Sequence, residues 1–300
     1  MDRIDRLRIF LRVAQCGSFT LAADQLGLPR ASVSAAVQQT EAALGVRLLH
    51  RTTRRVGLTP DGEALLEHAR TLVDDVDELE QRFRPQGAAL SGRLRVEVPS
   101  RIARRLVAPA LPSFLAQHPA IEIELGSSDR AVDLVHEGID CALRVGPLAP
   151  SSLVARPLGR FGLINCASPA YLARHGTPRS PADLDRHQAV HYVPPAGGRA
   201  APWEWQEGGA PRTRALAGQV AANNAETYIA CCLAGLGLIQ IPAFDVREHL
   251  ASGELVQVLS AWPAPAMPVH LVYPHRRHLS RRMQAFSAWL AGMLAPHLDE

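Results

Sequence analysis

The sequence predicts a multidomain α/β protein, in which a small helical domain is joined by one long helix to a larger α/β domain. Three observations support this prediction. Apolar residues recur at helical spacing through the first 45 residues, a heptad pattern follows at 65–83, and strand-like and helical segments then alternate. At 300 residues, the chain is long enough for two domains.

The composition excludes several classes of protein. The chain is 47% hydrophobic and 20% charged, as in ordinary globular proteins, and its N-terminus lacks the apolar core of a signal peptide. No apolar run approaches the ~18–20 residues that span a bilayer. We therefore expect a cytoplasmic protein that does not contact a membrane.

The sequence predicts no metal site and no cofactor. The five cysteines have no finger-like spacing, and the twelve histidines form no HExxH pair. We interpret the cysteines as small buried core residues. Thiol redox sensing is the alternative, and the adjacent Cys231 and Cys232 are its weak support.

We call residues 1–59 the head, and their sequence predicts three short helices. The first buries one set of residues at three-residue spacing: Ile4, Leu7, Phe10 and Val13. Ser18 can cap a second helix at 19–26, because its hydroxyl can accept hydrogen bonds from the N–H groups of the first turn. Gly27 permits a sharp turn. The third helix, at about 31–44, turns a further set inward: Val33, Val37 and Leu44.

The outward face of the third helix carries small and neutral side chains, with no charge between Arg30 and Glu41. This face consists of Ala31, Ser34, Ala35 and Gln38. Ser and Gln can hydrogen-bond to base edges in the DNA major groove, and Ala can contact a thymine methyl group. Two helices joined by a tight turn therefore predict a helix-turn-helix that binds double-stranded DNA. A generic three-helix bundle is the alternative.

Basic groups flank this helix. Residues 1–60 hold nine arginines and four acidic residues, a net charge of about +5. Arg30 begins the third helix. The segment after that helix has the pattern of a short hairpin wing. The candidate DNA contacts in the wing are Arg51, Thr53, Arg54 and Arg55. Arginines at these positions are suited to phosphate contacts.

A linker helix is predicted over residues 60–88, with Thr59 as its N-cap and Pro60 in its first turn. Its apolar residues alternate at spacings of four and three, as in a heptad seam: Leu65, Ala69, Leu72, Val76, Leu79 and Phe83. We expect the seam to pair with a second copy of the chain and form a homodimer. Packing against the chain's own head or against the following domain is the alternative.

The remainder, residues 92–300, predicts an α/β domain. Strand patterns at 92–100, 120–127 and 139–146 alternate with helical patterns at 101–119 and 130–138, which predicts a parallel sheet. A Pro-containing connection leads to a strand at 161–168. Turn-rich stretches follow at 178–188 and 194–212, and a second α/β unit and a final helix at about 279–295 complete the chain.

In this order, the segments resemble the LysR-type transcriptional regulators. The resemblance rests on the connected block at 17–66 and on four shorter motifs: HPAIEIEL, DLVHEGIDCALRVG, SPAYLARHGTP and LAGLGLIQIP. It implies a winged helix-turn-helix, a linker helix and a periplasmic-binding-protein-like effector domain. The implied lobe I covers about 92–161 and 270–300, and lobe II covers about 162–269.

The resemblance also implies dimers that assemble into tetramers, and it makes RNA polymerase a further candidate partner. The recognition helix departs from the usual family pattern at four positions. Pro29 and Arg30 stand where Ser and Gln are common, Ala35 replaces a common Arg, and Thr40 replaces a core Leu.

The candidate effector site lies at the ends of the strands. Ligands of open α/β sheets bind beyond the carboxyl ends of the strands, and the resemblance points to the same positions. The candidates are Ser100, Ser127, Ser128, Arg144, Val145, Asn223 and Asn224. Helix N-termini at 100 and 224 favour an anion, so we expect a small carboxylate metabolite. Each serine has helix capping as its alternative role.

The expected function is therefore a DNA-binding regulator controlled by a small-molecule effector. An enzyme is the competing class, but the sequence shows no GxSxG, P-loop, GxGxxG or metal triad. A DNA-binding protein that needs no ligand is the third alternative, and it leaves the α/β domain without a role.

Overall fold

The computed structural model describes residues 1–51, 56–82, 89–130, 132–193, 200–274 and 279–299. The chain divides into two compact units. The first comprises Met1–Arg93 with Val135–Gly138, and the second comprises Leu94–Leu134 with Ile139–Glu300. Among the described residues, no helix combines the length and the apolar character that a membrane span requires.

The helices and strands follow in chain order. The helices are α1 (Arg3–Cys16), α2 (Phe19–Leu26), α3 (Arg30–Leu44), α4 (Pro60–Arg82), α5 (Ser100–Ile102), α6 (Ala108–Gln117), α7 (Pro169–His175), α8 (Ala225–Leu233), α9 (Ala243–Ala251) and α10 (Arg281–Leu294). The strands are β1 (Leu49–Arg51), β2 (Val56–Leu58), β3 (Ser91–Val98), β4 (Ala120–Ser127), β5 (Cys141–Val145), β6 (Val154–Phe161), β7 (Leu163–Ala167), β8 (His191–Tyr192), β9 (Trp203–Glu207), β10 (Ala210–Arg214), β11 (Ala221–Ala222), β12 (Ile239–Pro242), β13 (Val256–Val258) and β14 (Met267–Tyr273).

The three head helices form around one apolar core, and local capping sets their ends. Ser18 Oγ accepts the Leu21 N–H (3.3 Å), which confirms the predicted N-cap of α2. The core buries Phe10, Val13, Val33 and Val37 completely, together with Leu48. The prediction that Leu44 points inward is wrong, because Leu44 lies in the last turn of α3 and is 49% exposed.

Thr40 is the buried residue one turn before Leu44. Its hydroxyl donates to the Ala36 carbonyl oxygen at 2.9 Å, so the polar group is satisfied inside the head. A threonine can therefore occupy this buried position, where the pattern that the sequence resembles usually has a leucine.

The start of α4 is fixed by Thr59. Thr59 Oγ1 accepts the Gly62 N–H (3.0 Å) and donates to the Arg47 carbonyl oxygen (2.6 Å), as the predicted N-cap requires. A Cβ atom on Gly62 would lie 2.0 Å from the Leu48 carbonyl oxygen, so only glycine allows this approach of helix and hairpin. α4 then packs on α1, where Leu7, Ala69 and Val73 form a buried cluster.

The main sheet of the second unit has five strands in the order β4-β3-β5-β14-β6. β3 and β5 are parallel, as predicted, but β14 runs antiparallel to both β5 and β6, so the sheet is mixed. β6 lies in the segment that we predicted to be a connection. It contains Pro157 and forms an edge of the sheet, where a residue without an N–H is tolerated.

The predicted helix at 130–138 is wrong: residues 134–138 form turns, and residue 131 lies outside the described residues. Leu134 is buried, whereas Val135 is 67% exposed, so the apolar residues of this segment do not form one buried helical face. Gly138 ends it with a positive φ of 64°.

The predicted helix at 101–119 is observed as three joined pieces. α5 leads into a π-helical segment, Ala103–Val107, which continues as α6. The Ala108 N–H bonds to the Ala103 carbonyl oxygen, five residues back, which widens the helix at this point. We call the sheet and the helices packed on it, including α10, lobe I.

Lobe II is built around β7, which is the middle strand of an antiparallel sheet with the order β12-β7-β13. The turn-rich stretch at 194–212 also contains a hairpin of β9 and β10. Gly208 and Gly209 connect them with φ values of 60° and 81°, as a two-residue hairpin turn requires. The Gly-Gly pair was the signal for this hairpin that the sequence prediction overlooked.

Candidate functional site

The outward face of α3 is observed as predicted. Ala31, Ala35 and Gln38 are exposed and Ser34 is half-buried, while the opposite side of the helix enters the core. Arg30 is exposed at the start of the helix, where Pro29 provides no side-chain cap. A surface of small and amide groups beside a cation is suited to a DNA groove.

The described part of the wing is the antiparallel pair of β1 and β2, which joins Leu49 to Leu58 across the ladder. Thr53, Arg54 and Arg55 lie outside the described residues, and so does the side chain of Arg51. Their assignment to DNA contact therefore stays a prediction.

The apolar seam of α4 is divided between two environments. Ala69 is fully buried against α1, and Leu65 packs beside it. Leu72 and Leu79, seven residues apart on one side of the helix, are 51% and 54% exposed. Val76 between them is half-buried, and Phe83 lies outside the described residues. The seam thus meets its own head at one end and is exposed further along.

The ends of β3 and β4 meet through Ser100 and Asp129. The Ser100 N–H donates to Asp129 Oδ1 at 3.1 Å. A carboxylate of the chain itself therefore accepts the hydrogen bond that we expected an anionic ligand to accept. Ser128 Oγ is buried and has no hydrogen-bond partner among the described residues. Ser127, by contrast, is exposed at the end of β4.

On the lobe II side, Asn224 caps α8. Its Oδ1 accepts the Thr227 N–H at 2.9 Å, and its Nδ2 donates to Asn223 Oδ1 at 3.1 Å. Capping thus uses the side-chain oxygen of Asn224, while Asn223 is exposed.

Arg101 connects lobe I to lobe II. This arginine follows Ser100 in lobe I, and its Nη1 contacts Glu226 Oε2 at 2.5 Å in the first turn of α8. Its Nε contacts Asp245 Oδ1 at 3.0 Å in α9, and its Nη2 donates to the Asp245 carbonyl oxygen. The side chains of Arg101 and Asp245 are only 7% and 5% exposed, so this ion pair is withdrawn from water.

Two more arginines of the π-helical segment reach lobe II. Arg104 contacts Glu226 at 3.1 Å, and Arg105 contacts Glu248 at 2.6 Å. The interlobe ion-pair cluster is the set Arg101, Arg104, Arg105, Glu226, Asp245 and Glu248. Burial raises the pKa of Asp245 to about 6, and the charge of Arg101 opposes this shift.

Tyr192 lies near the carboxylates of both lobes. Burial raises the pKa of its phenol, and the negative charges of Asp129 and Asp245 raise it further. Its ring packs edge-on against Tyr228, with the ring centroids 5.4 Å apart. Sequence reasoning missed Tyr192, Asp129 and Arg101, although Arg101 and Asp129 directly follow two residues that it selected.

Arg144 and Val145 have contacts elsewhere in lobe I. Arg144 Nη1 donates to the Arg130 carbonyl oxygen at 3.2 Å, and its Nη2 lies 3.5 Å from the Val132 carbonyl oxygen. Val145 pairs with Val269 in the sheet. The contacts of Arg144 hold the segment after β4, and the described contacts of the two residues include neither Ser100 nor Asn224.

Three of the described cysteines have the features of core residues. Cys141, Cys166 and Cys232 are completely buried. Burial raises the pKa of Cys141, while the neighbouring Cys166 thiol and burial raise that of Cys232. Both shifts disfavour the reactive thiolate. No cluster of His, Cys, Asp and Glu that could hold a metal ion is present within the described ranges.

Comparison with known proteins decides the family. Residues 87–295 match the LysR substrate binding domain, and residues 4–63 match the bacterial regulatory helix-turn-helix protein family of the lysR type. The chain belongs to the LysR family of transcriptional regulators. LysR-family regulators bind DNA and small-molecule effectors and form oligomers.

This LysR-family regulator has similar relatives along its full length. It is 44% identical to the uncharacterized HTH-type transcriptional regulator YhjC of Escherichia coli (strain K12), over 100% of both chains. It is 40% identical to an HTH-type transcriptional repressor of Pseudomonas aeruginosa (strain UCBPP-PA14), over 98% of this chain and 93% of that one. These relatives are regulators, which settles the choice against an enzyme.

Solved LysR-type structures have the same fold. CrgA from Neisseria meningitidis matches with a TM-score of 0.61 and 30% identity, over 97% of this chain and 98% of that chain. Full-length AphB from Vibrio cholerae matches with a TM-score of 0.58 and 30% identity, over 99% and 100% of the two chains.

Proposed function

We propose that this LysR-family regulator reads an operator through the outward face of α3, and that a small anionic metabolite bound between lobes I and II changes its binding to DNA. One observation carries the effector part of this proposal. Arg101 crosses from the end of β3 to the first turn of α8, so Ser100 and Asn224, which adjoin the two ends of this contact, support a ligand crevice between the lobes.

The proposed ligand contacts differ in whether their polar groups already have hydrogen-bond partners within the protein. Ser128 is the strongest candidate, because its buried hydroxyl has no partner among the described residues and a ligand could supply one. Ser100, Ser127, Asn223 and Asn224 remain candidates around it. Arg144 and Val145 are weaker candidates, since the described contacts of both lie within lobe I.

Asp129 adds a condition to this proposal. An anionic effector that uses the Ser100 N–H must first displace the Asp129 carboxylate, which now accepts that hydrogen bond. The ligand therefore competes with a group of the protein itself. Such competition couples ligand binding to a rearrangement of the segment after β4.

We expect Ser128→Ala to weaken the response to the effector and to leave DNA binding without effector unchanged. A hydrogen bond to a charged ligand is worth about 1.5–3 kcal/mol, so the half-saturating effector concentration should rise about tenfold or more. A panel of small mono- and dicarboxylates is first screened by thermal shift. The best one is then titrated into a DNA-binding assay with wild type and variant.

Ser113→Ala is the matched control for this experiment, because Ser113 is an exposed serine of α6 outside the candidate effector residues and the substitution removes the same hydroxyl. The assignment fails if both variants respond like wild type. A loss of DNA binding without effector in Ser128→Ala would instead show a structural role.

We expect Gln38→Leu to cost about 1–3 kcal/mol in binding to the operator while binding to unrelated DNA changes little. The exposed amide of Gln38 lies on the same face as Ser34, where it can reach base edges. Fluorescence anisotropy with operator and scrambled duplexes measures both affinities. Gln39→Leu is the control, because the Gln39 amide accepts from Arg6 within the head (3.4 Å).

Substitution of the wing arginines should have a different effect from Gln38→Leu in the same assay. Arg54→Gln or Arg55→Gln should weaken operator and unrelated DNA alike and should lower the slope of log affinity against log salt by about one. An unchanged slope would remove these residues from the phosphate contacts. Equal losses on both duplexes for Gln38→Leu would place Gln38 among the phosphate contacts instead.

The proposal includes the assembly of the regulator. Leu72 and Leu79 of α4 form the exposed part of a seam that a second copy covers, and such dimers then pair into tetramers. We further propose that the protein acts in the cytoplasm and that RNA polymerase at the same promoter is a partner.

A further inference from the structure

A cavity whose lining includes neither Ser100 nor Ser128 lies between the two lobes. It has a volume of about 430 Å³, within the range of small-molecule sites. The helical run 103–117 and the C-terminal residues of lobe I form one side, and α9 of lobe II forms the other. We propose that this cavity is a second ligand site, which takes a small aromatic monocarboxylate.

The apolar part of the cavity is suited to a ring. Leu106 and Pro109 line it from lobe I, Phe244 lines it from lobe II, and Met293 from α10 completes these walls. Methionine adapts its shape to a ligand and contacts aromatic rings favourably. An aromatic body can therefore be buried between the two lobes.

The charge of the cavity favours an acid over a neutral ligand. Arg105 and Arg247 both line it, together with one carboxylate, Glu248. Glu248 contacts Arg105 at 2.6 Å, so that pair is neutral as a unit. Arg247 is exposed and has no carboxylate partner among the described residues. Its guanidinium remains available for the carboxylate of a ligand.

His297 supplies a second polar group. It lines the cavity, and its Nδ1 is buried without a hydrogen-bond partner among the described residues. Burial lowers the pKa of His297, and the nearby Arg247 lowers it further, so both favour the neutral ring. A neutral imidazole can donate one hydrogen bond to a carboxylate oxygen.

A ligand in this cavity contacts both lobes. Arg105, Met293 and His297 belong to lobe I, while Phe244 and Glu248 belong to lobe II. The site also borders the interlobe ion-pair cluster through the contact between Arg105 and Glu248. Occupancy therefore stabilises the closed contact between the lobes, independently of a ligand at Ser128.

The experiment uses 4-fluorophenylacetate as the probe and follows its fluorine line width in the presence of the full-length protein. We expect broadening with wild type and a dissociation constant about tenfold weaker or more for Arg247→Gln, which removes one charged donor. Ala110→Phe fills the cavity from the lobe I side and should also abolish broadening. The neutral probe 4-fluorophenylacetamide should bind wild type more weakly.

Ser128→Ala is the control, because its change lies at the other site, and it should bind the probe like wild type. Thermal unfolding checks that every variant is folded. The proposal is wrong if wild type does not broaden the probe signal or if either cavity variant binds like wild type. It is also wrong if Ser128→Ala alone loses binding, since the probe then occupies the crevice between the strand ends.

Discussion

Arg101→Met should lower the free energy of unfolding of the effector-binding unit by about 3–5 kcal/mol. The substitution keeps much of the side-chain volume but leaves the Asp245 carboxylate buried without the cation that contacts it at 3.0 Å. The four tryptophans all lie in the second unit, so fluorescence during urea unfolding of the full chain reports this unit.

Two variants separate burial from charge. Arg104→Met removes the same charge from a side chain that is 71% exposed, and the loss of its contact with Glu226 should cost less than about 1 kcal/mol. Arg101→Met combined with Asp245→Leu removes both buried charges and should recover much of the loss. If Arg101→Met costs no more than Arg104→Met, the buried pair does not hold the lobes together.

The interlobe contacts also explain which parts of the protein the sequence could predict. The caps at Ser18 and Thr59 depend on residues within one turn, and the sequence determines them locally. The pairing of Arg101 with Asp245 joins residues 144 positions apart, and no local pattern distinguishes this arginine from Arg104 or Arg105. Such a site follows only from the arrangement of the two lobes.

For the same reason, the sequence did not predict the order of the strands in the main sheet. The parallel pair of β3 and β5 follows from the alternation of strands and helices, whereas the antiparallel β14 is contributed by a distant part of the chain. The sequence did not predict the edge strand β6, because Pro157 and Gly159 are more typical of a connection than of a strand. The candidate serines were selected by a rule about strand ends, and the rule gave no information about Asp129 or Tyr192.

Leu72→Glu and Leu79→Glu should each separate the proposed dimer, by a cost on the order of 3 kcal/mol or more, which weakens association at least a hundredfold. The two leucines are about half exposed, whereas Ala69 and Val73 on another side of α4 are buried in the head. Each substitution therefore spares the head but places two like charges close together across a two-fold axis. Sedimentation velocity at micromolar concentration measures the change from dimer or larger assembly to monomer.

The control has to add the same charge to the same helix without entering the seam. Ala64→Glu does this, because Ala64 is exposed near the start of α4 and lies outside the series of positions that contains Leu72 and Leu79. Circular dichroism should show equal helix content in all three variants, since none of the substituted side chains is buried. A wild-type assembly retained by both leucine variants would refute the seam as the dimer contact. A monomer produced by Ala64→Glu as well would mean that added charge on α4, rather than loss of apolar contact, prevents association.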